Sequence, residues 1–201
     1  MKTSPLHLAH AATDFLEDPI APHVEAIVSH LGEDARRPGM LDTPKRFAKA
    51  MRFLTSGYEL DPESVVGNGI FAAEGDGVVI VRDVEFYSLC EHHLLPFFGR
   101  VHVAYLPGRK IIGLSKIPRL VDLYARRFQV QERLTEQVAD ALMRLLEPKG
   151  VAVIAQARHL CMAMRGVEKQ QSATATRALR GLYAHDAASR QDLMTLFSDK
   201  A

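Results

Sequence analysis

Two cysteines, Cys90 and Cys161, are all that this 201-residue chain contains. That is too few for a disulfide framework, and one bridge would be a weak reason to keep them. Excess charge of one sign is also missing. Lys plus Arg number 25 against 24 Asp plus Glu, a net of +1, so no global basic field marks a nucleic-acid binder. No stretch approaches the roughly 20 apolar residues of a membrane span. The opening Met-Lys-Thr-Ser-Pro-Leu-His-Leu-Ala-His has one Lys and no apolar core, which does not suit a signal peptide. With reduced cysteines, the cytoplasm is the expected compartment. Internal repeats, low-complexity tracts and linker-like runs are absent too.

What is present is ordinary for a globular protein: 47% hydrophobic, 24% charged, 13 Gly and 10 Pro. That excludes a disordered chain, a collagen-like one and a coiled-coil rod. A chain of this length buries roughly 70% of its unfolded surface and needs no staple merely to fold. Nine histidines are the one excess. Few Cys and many His point to a site rather than a scaffold.

Up to about residue 66 the pattern is helical. Leu16, Ile20, His23, Val24, Ile27, Val28 and Leu31 suit an amphipathic helix, with a break at Pro19 and Pro22. Thr43-Pro44 opens a second helix, Thr43 as cap and Pro44 at the first turn, with Phe47, Met51 and Leu54 on one face until Gly57 stops it. Asp61-Pro62-Glu63-Ser64 starts a further short turn. From residue 77 the period changes: Val78, Ile80, Arg82, Val84 and Phe86 alternate with Val79, Val81, Asp83 and Glu85, a strand with its first half buried on both faces. Phe97–Leu106 is a second strand, and after the Pro107-Gly108 turn Lys110–Gly113 extends the sheet. Two helices follow with no strand between them, striped by Ile117, Leu120, Val121, Tyr124 and Phe128, then by Leu134, Val138, Leu142 and Leu145. Val151–Arg158 is the third strand, Arg180–His185 the fourth, and Leu193–Phe197 a helical tail. The expected class is α+β with a mainly antiparallel sheet. A helical region over 1–66 precedes a second domain over 67–201.

Ser88-Leu89-Cys90-Glu91-His92-His93 ends the first of those strands. Cys90 and His93 stand in C-x-x-H spacing, close enough for a thiolate and an imidazole to reach one metal from a tight turn. In the third strand Val151, Val153, Ala155, Ala157, His159 and Cys161 share one parity, so a strand continuing that far projects His159 and Cys161 from one face. Cys90, His93 and Cys161 together suit zinc, one ion per chain. Three protein ligands leave a fourth position for water, whose pKa zinc lowers to about 7. His92 and His159 remain for proton transfer; alternatively either is a fourth ligand and the zinc is inert.

The balanced total hides a local excess. Pro96 to Arg127 holds seven basic residues (Arg100, Arg109, Lys110, Lys116, Arg119, Arg126 and Arg127) against Asp122, a local +6. Ser115, Lys116 and Arg119 gather at a helix N-terminus with free backbone N–H groups, an anion site in kind. Arg165, just past Cys161, is another cation within reach of the metal. Glu132, after Gln131, is a dipole-matched residue at a helix start that could also accept paired hydrogen bonds from a base.

Four segments resemble the GTP cyclohydrolase I family in order and at compatible spacing. They are Ser-Leu-Cys-Glu-His-His (88–93), Gly-Leu-Ser-Lys-Ile-Pro-Arg (113–119), Gln-Val-Gln-Glu-Arg-Leu-Thr (129–135) and His-Leu-Cys-Met-Ala-Met-Arg-Gly-Val (159–167). Thr43-Pro44-Lys45-Arg46 matches as well, and the likeness spans about residues 42 to 185. The resemblance implies conversion of GTP and water to 7,8-dihydroneopterin triphosphate and formate, the entry to tetrahydrofolate and other pterins. It implies zinc on Cys90, His93 and Cys161, and His92 as the acid that protonates the guanine imidazole ring under attack. His159 would assist the later ring opening and sugar rearrangement. Gln131 and Glu132 would read the guanine edge, and Ser115, Lys116, Arg119 and Arg165 would hold the triphosphate, with Arg46 from a neighbouring subunit. The implied fold is the tunnelling fold, two helices between strands two and three of an antiparallel sheet. The implied assembly is a homo-oligomer of two stacked pentamers with sites at subunit borders. Arg177 and Arg180 have no part in this reading.

Two other readings compete. One is a relative of that fold using a metal-free Cys nucleophile on a nitrile-bearing deazaguanine, against which the pairing of Cys161 with His93 argues. The other is a non-enzymatic protein with structural zinc whose basic segment docks an acidic partner. Zinc nucleobase deaminases are excluded, since the P-C-x-x-C element is absent.

Overall fold

The computed structural model describes residues 18–198. These form two compact units divided between Phe53 and Leu54. The expected contribution of Leu16 to the first helix, and the reading of the opening segment, lie outside the described residues.

The first unit carries α1 (Ile20–His30) and most of α2 (Thr43–Leu54). Asp18 starts α1 by accepting the Ile20 N–H at 2.9 Å, and its carboxylate takes the Arg52 guanidinium at 3.0 Å. That pairing holds the Asp18 carboxyl below the usual carboxylate range. Thr43 is itself the first residue of α2, and its hydroxyl faces Met40 Sδ rather than capping.

In the second unit a 3-10 turn (Ser56–Glu59) leads to α3 (Pro62–Val66), whose cap Asp61 accepts the Ser64 N–H at 2.8 Å. Gly57 does not stop α2, which ends three residues earlier. It lies inside the 3-10 turn with its N–H on the Arg126 carbonyl, where a side chain would strike the Leu123 carbonyl oxygen at 2.1 Å. Val66 of α3 is buried in the core of this unit, so α3 joins the sheet rather than the preceding helices.

Five strands form the main sheet: β2 (Val79–Cys90), β3 (Pro96–Leu106), β5 (Phe128–Gln129), β6 (Gly150–His159) and β7 (Thr174–Gly181), in the order β5-β2-β3-β6-β7. All neighbours are antiparallel except β5, which runs parallel to β2. This is the expected α+β class with a mainly antiparallel sheet. Two helices, α4 (Lys116–Ala125) and α5 (Gln131–Leu146), cover one face. Val101, Val103 and Tyr105 of β3 and Val151, Val153 and Ala155 of β6 point into the core they share with those helices. The intervening Ala104 and Ala152 point the other way, toward Tyr183 and toward Leu193 of α8 (Ala187–Ser198). Period-2 alternation with small residues on the second face lets both faces pack.

Several details depart from the periodicity. A bulge between Val81 and Val84 places one extra residue in β2, with Asp83 at φ 58° and its N–H on His102 Nδ1. Core-facing parity therefore switches from odd (Val79, Val81) to even (Val84, Phe86), and the first half of the strand is only half-buried. β4 (Lys110–Ile112) does not extend the main sheet but pairs with β1 (Ile70–Ala72) in a two-stranded one. A strand does separate the two helices, the two-residue β5, too short to show a period. The last strand is β7, eight residues ending at Gly181, whose positive φ turns the chain into α7 (Leu182–His185), where a strand was expected. Arg180 gains a role here, its Nε on Asp140 at 2.8 Å and its other nitrogen on Glu136, tying β7 to α5.

Gly57→Ala is expected to lower stability by roughly 2 kcal/mol or more, because backbone must shift to admit the methyl group. Gly75→Ala, where an added Cβ meets nothing within 4 Å, is expected to stay within about 0.5 kcal/mol. Urea unfolding midpoints of the two variants check this.

Candidate metal-centred active site

Three chain segments meet at one end of the main sheet. β2 pairs Leu89 with Pro96 of β3, and β3 pairs Phe97 with His159 of β6, so the last residues of β2 and β6 flank the start of β3. The turn after β2 folds back on itself: Cys90 N–H donates to the Leu95 carbonyl, and Leu94 N–H, at 2.8 Å, to the Cys90 carbonyl. Leu94 accepts a left-handed backbone (φ 54°) to close it. His93 is thereby carried back over Cys90.

Cys161 arrives by a different route from the one periodicity suggested. β6 ends at His159, and Leu160–Ala163 is a single helical turn, α6, so Cys161 and His159 do not share a strand face. The turn nevertheless brings Cys161 in. The ligand atoms of Cys90, His93 and Cys161 all lie within 4.8 Å of one another. Cys90 is buried, Cys161 half-buried and His93 exposed, and both cysteines are free thiols. Two thiolates and an imidazole, converging from two turns with one side open, fit a divalent metal of borderline softness. Burial, with the neighbouring Cys90 thiol, pushes the Cys161 thiol up.

His92 borders the cluster, its Nδ1 3.8 Å from Cys90 Sγ and its ring largely exposed. Glu91 beside it forms a two-pronged ion pair with Arg133 of α5, at 2.6 and 3.0 Å, which pins the turn to that helix. Arg165 donates to His93 Nε2 at 2.9 Å, so the expected cation does sit at the cluster.

His159 is half-buried and stacks on Phe97, centroids 4.6 Å apart and rings 2° from parallel. Burial lowers its pKa while the Glu132 carboxylate works the other way. Glu132 is exposed in the first turn of α5, where its charge also complements the helix dipole. Gln131, expected on a guanine edge, is 1% exposed and already engaged. Its amide nitrogen donates to the carbonyls of Ala155 and Thr174, both at 3.0 Å, and to Thr176 Oγ1 at 3.2 Å; its carbonyl oxygen meets His159 Nε2 at 2.9 Å. Phe97, Thr135 and Thr176 were not singled out as site residues in the sequence. Strand register sets Phe97 opposite His159, whereas packing of α5 against β7 brings Thr135 and Thr176 to Gln131.

Ser115, Lys116 and Arg119 lie at the other end of α4. Its last turn reaches the Cys90 end, where Gln129, the β5 partner of Cys90, donates to the Tyr124 carbonyl at 3.1 Å. Its first turn is a ten-residue helix away, about 15 Å along the axis. There the Lys116 ammonium reaches the Val65 carbonyl at 3.4 Å, and Gly113 N–H donates to Gly69. Arg46 belongs to the first unit, on α2, paired with Asp42 at 3.3 Å.

The family model for GTP cyclohydrolase I matches residues 20–198. GTP cyclohydrolase 1 of Deinococcus radiodurans is 59% identical over 165 residues, covering 82% of this chain and 76% of that protein. The Leptospira biflexa protein of the same name is 55% identical over 173 residues, covering 86% and 94%. That of Campylobacter curvus is 53% identical over 175 residues, covering 87% and 92%.

Cobalt(II) titrated into metal-free protein is expected to produce thiolate-to-metal absorption at about one ion per chain, with Cys90→Ser and Cys161→Ser each weakening it strongly. Because the thiols must lose protons to bind, loading is expected to release protons and to weaken as pH falls. A dye-monitored titration in weak buffer reads both.

Proposed function

This chain belongs to the GTP cyclohydrolase I family, and from that premise we propose how its residues divide the work. The reaction opens the guanine imidazole ring of GTP by hydrolysis, releases formate, rearranges the ribose and closes 7,8-dihydroneopterin triphosphate, the start of tetrahydrofolate and pterin synthesis. The convergence of Cys90, His93 and Cys161 carries the reading of the site.

Zinc held there, one per subunit, would supply a water activated at neutral pH. The second unit, with the tunnelling fold over 67–201, bears the chemistry. His92, exposed beside Cys90, delivers a proton to a ring nitrogen of guanine as the carbon between the two ring nitrogens is attacked. Protonating the leaving nitrogen makes its bond to that carbon easier to break. His159 serves the later ring opening and sugar rearrangement. The exposed Glu132 carboxylate accepts the paired N–H donors of the guanine edge. Gln131, next to it, supports that end of the pocket through His159.

Arg165, at the cluster, takes one end of the triphosphate. The first N–H groups of α4, those of Lys116 and Ile117, are taken by the Gly113 and Leu114 carbonyls, so the side chains of Ser115, Lys116 and Arg119 complete the phosphate site, and Arg46 adds a further cation. Within one chain the α4 N-terminus is about 15 Å of helix from the Cys90 end, so the phosphate residues come from a neighbouring subunit. That supports a homo-oligomer, in the family's form a decamer of two stacked pentamers, with sites at subunit borders. Exposed apolar groups such as Tyr87 and Leu114 suit burial between copies. Among the described residues no helix is long and apolar enough to cross a membrane. The free cysteines favour a reducing compartment, the cytoplasm.

His92→Ala is expected to lose formate release by at least about a hundredfold while still binding GTP, read by formate assay and by equilibrium binding. Activity surviving complete zinc removal would sink the reading. For the shared site, Lys116→Ala and Cys161→Ser proteins are each expected to be inactive alone. Unfolded together and refolded as mixed oligomers, they are expected to recover part of the activity. No recovery in verified mixed oligomers would overturn the shared-site arrangement.

A further inference from the structure

Gln131 is almost fully buried between the start of α5 and the β6-β7 pair, and its surroundings leave its amide only one orientation. Thr135 donates its hydroxyl proton to the Gln131 backbone carbonyl at 2.8 Å. In the 2.6 Å contact between Thr135 and Thr176, the proton must therefore come from Thr176. With that proton committed, Thr176 Oγ1 can only accept from the Gln131 side chain. The other two neighbours on that side are the carbonyls of Ala155 and Thr174, also acceptors only. All three demand the NH2 end of the amide. A flipped amide would set its oxygen against two carbonyl oxygens and leave a buried NH2 facing His159.

The Gln131 oxygen thus faces His159 Nε2, and an amide oxygen can only accept. We infer that Gln131 is a positioning residue that fixes neutral His159 as the Nε2–H tautomer, leaving the Nδ1 lone pair as its free proton acceptor. Phe97, stacked parallel on the ring, sets the plane in which that lone pair points. The Thr135–Thr176 hydroxyl pair locks Gln131, and Gln131 orients His159. Holding one tautomer matters for proton transfer because the wrong one presents an N–H where a base is needed. The catalytic use of this arrangement rests on the proposed role of His159 in the cyclohydrolase reaction; the tautomer itself does not.

Histidine labelled with 15N in both ring nitrogens, incorporated into the zinc-loaded full chain, reports the tautomer from the nitrogen resonances. His159 is assigned by the loss of its signals in His159→Asn, at a pH where imidazole is neutral. The wild type is expected to show protonated Nε2 and bare Nδ1 in one population. Gln131→Met keeps the length and burial but offers no acceptor. It is expected to populate the Nδ1–H form and to lower kcat roughly tenfold or more, with KM for GTP changed less than about threefold. A guanine contact would do the reverse, raising KM with kcat kept, and that result would overturn the proposal. So would a single Nε2–H population surviving in Gln131→Met. Should that variant not fold, the wild-type tautomer decides, a resting Nδ1–H imidazole refuting the assignment. Failure of the cyclohydrolase reading would look different: no formate from wild type, with the tautomer as expected.

Discussion

The register of three antiparallel strands is the constraint on which the site depends. Leu89 opposite Pro96 and Phe97 opposite His159 bring the ends of β2 and β6 to the same edge, one on each side of β3. A slip of one residue in either pairing would move every side chain of that strand to the other face. Phe86 and Phe97, in edge-to-face contact at 5.8 Å, would leave the core, and the Cys90 turn would lose its place beside Cys161. Burial of one strand face therefore specifies where Cys90, His93 and Cys161 meet, and Cys90 is itself part of that buried core.

Around this edge the chain spends its polar groups on orientation. The Glu91–Arg133 ion pair holds the turn that bears His92 and His93 against α5. The same helix begins with Gln131, enclosed by Ala155, Thr174, Thr176 and His159. An exposed ion pair adds little stability, and a buried amide adds little beyond the cost of leaving it unpaired. Their value lies in holding imidazole rings at set angles. β7, which supplies Thr174 and Thr176 to the enclosure of Gln131, is also tied to the same helix by Arg180 on Asp140 and Glu136.

The basic segment illustrates how charge and distance combine. Arg165 lies at the cluster, while Lys116 and Arg119 sit on the first turns of α4, whose last turn meets the Cys90 edge. A helix is rigid over this length, so one chain cannot fold the two ends together. One chain thus offers an anion two separate groups of cations, one at the cluster and one at the far end of α4. The near-zero net charge of the chain says nothing against such a ligand, because only the local arrangement matters.

The linear pattern alone determined the class of fold, the residues able to bind a metal and the positions of most strands and helices, since those depend on residue type, short spacing and local period. C-x-x-H at residues 90–93 sits in one turn, and a tight turn leaves little choice about where its side chains meet. The pattern failed where one residue or a distant partner changes the outcome. The bulge at Asp83 reverses the parity of β2, and the turn at Leu160 takes Cys161 off the strand that was expected to carry it. Gly57 reads as a helix stop but is required by the Leu123 carbonyl across the unit. Gln131 reads as a ligand-facing amide at a helix start, yet tertiary packing buries it among acceptors. Only the folded chain decides this, because hydrogen-bond donors choose among whatever acceptors long-range strand pairing brings within about 3 Å.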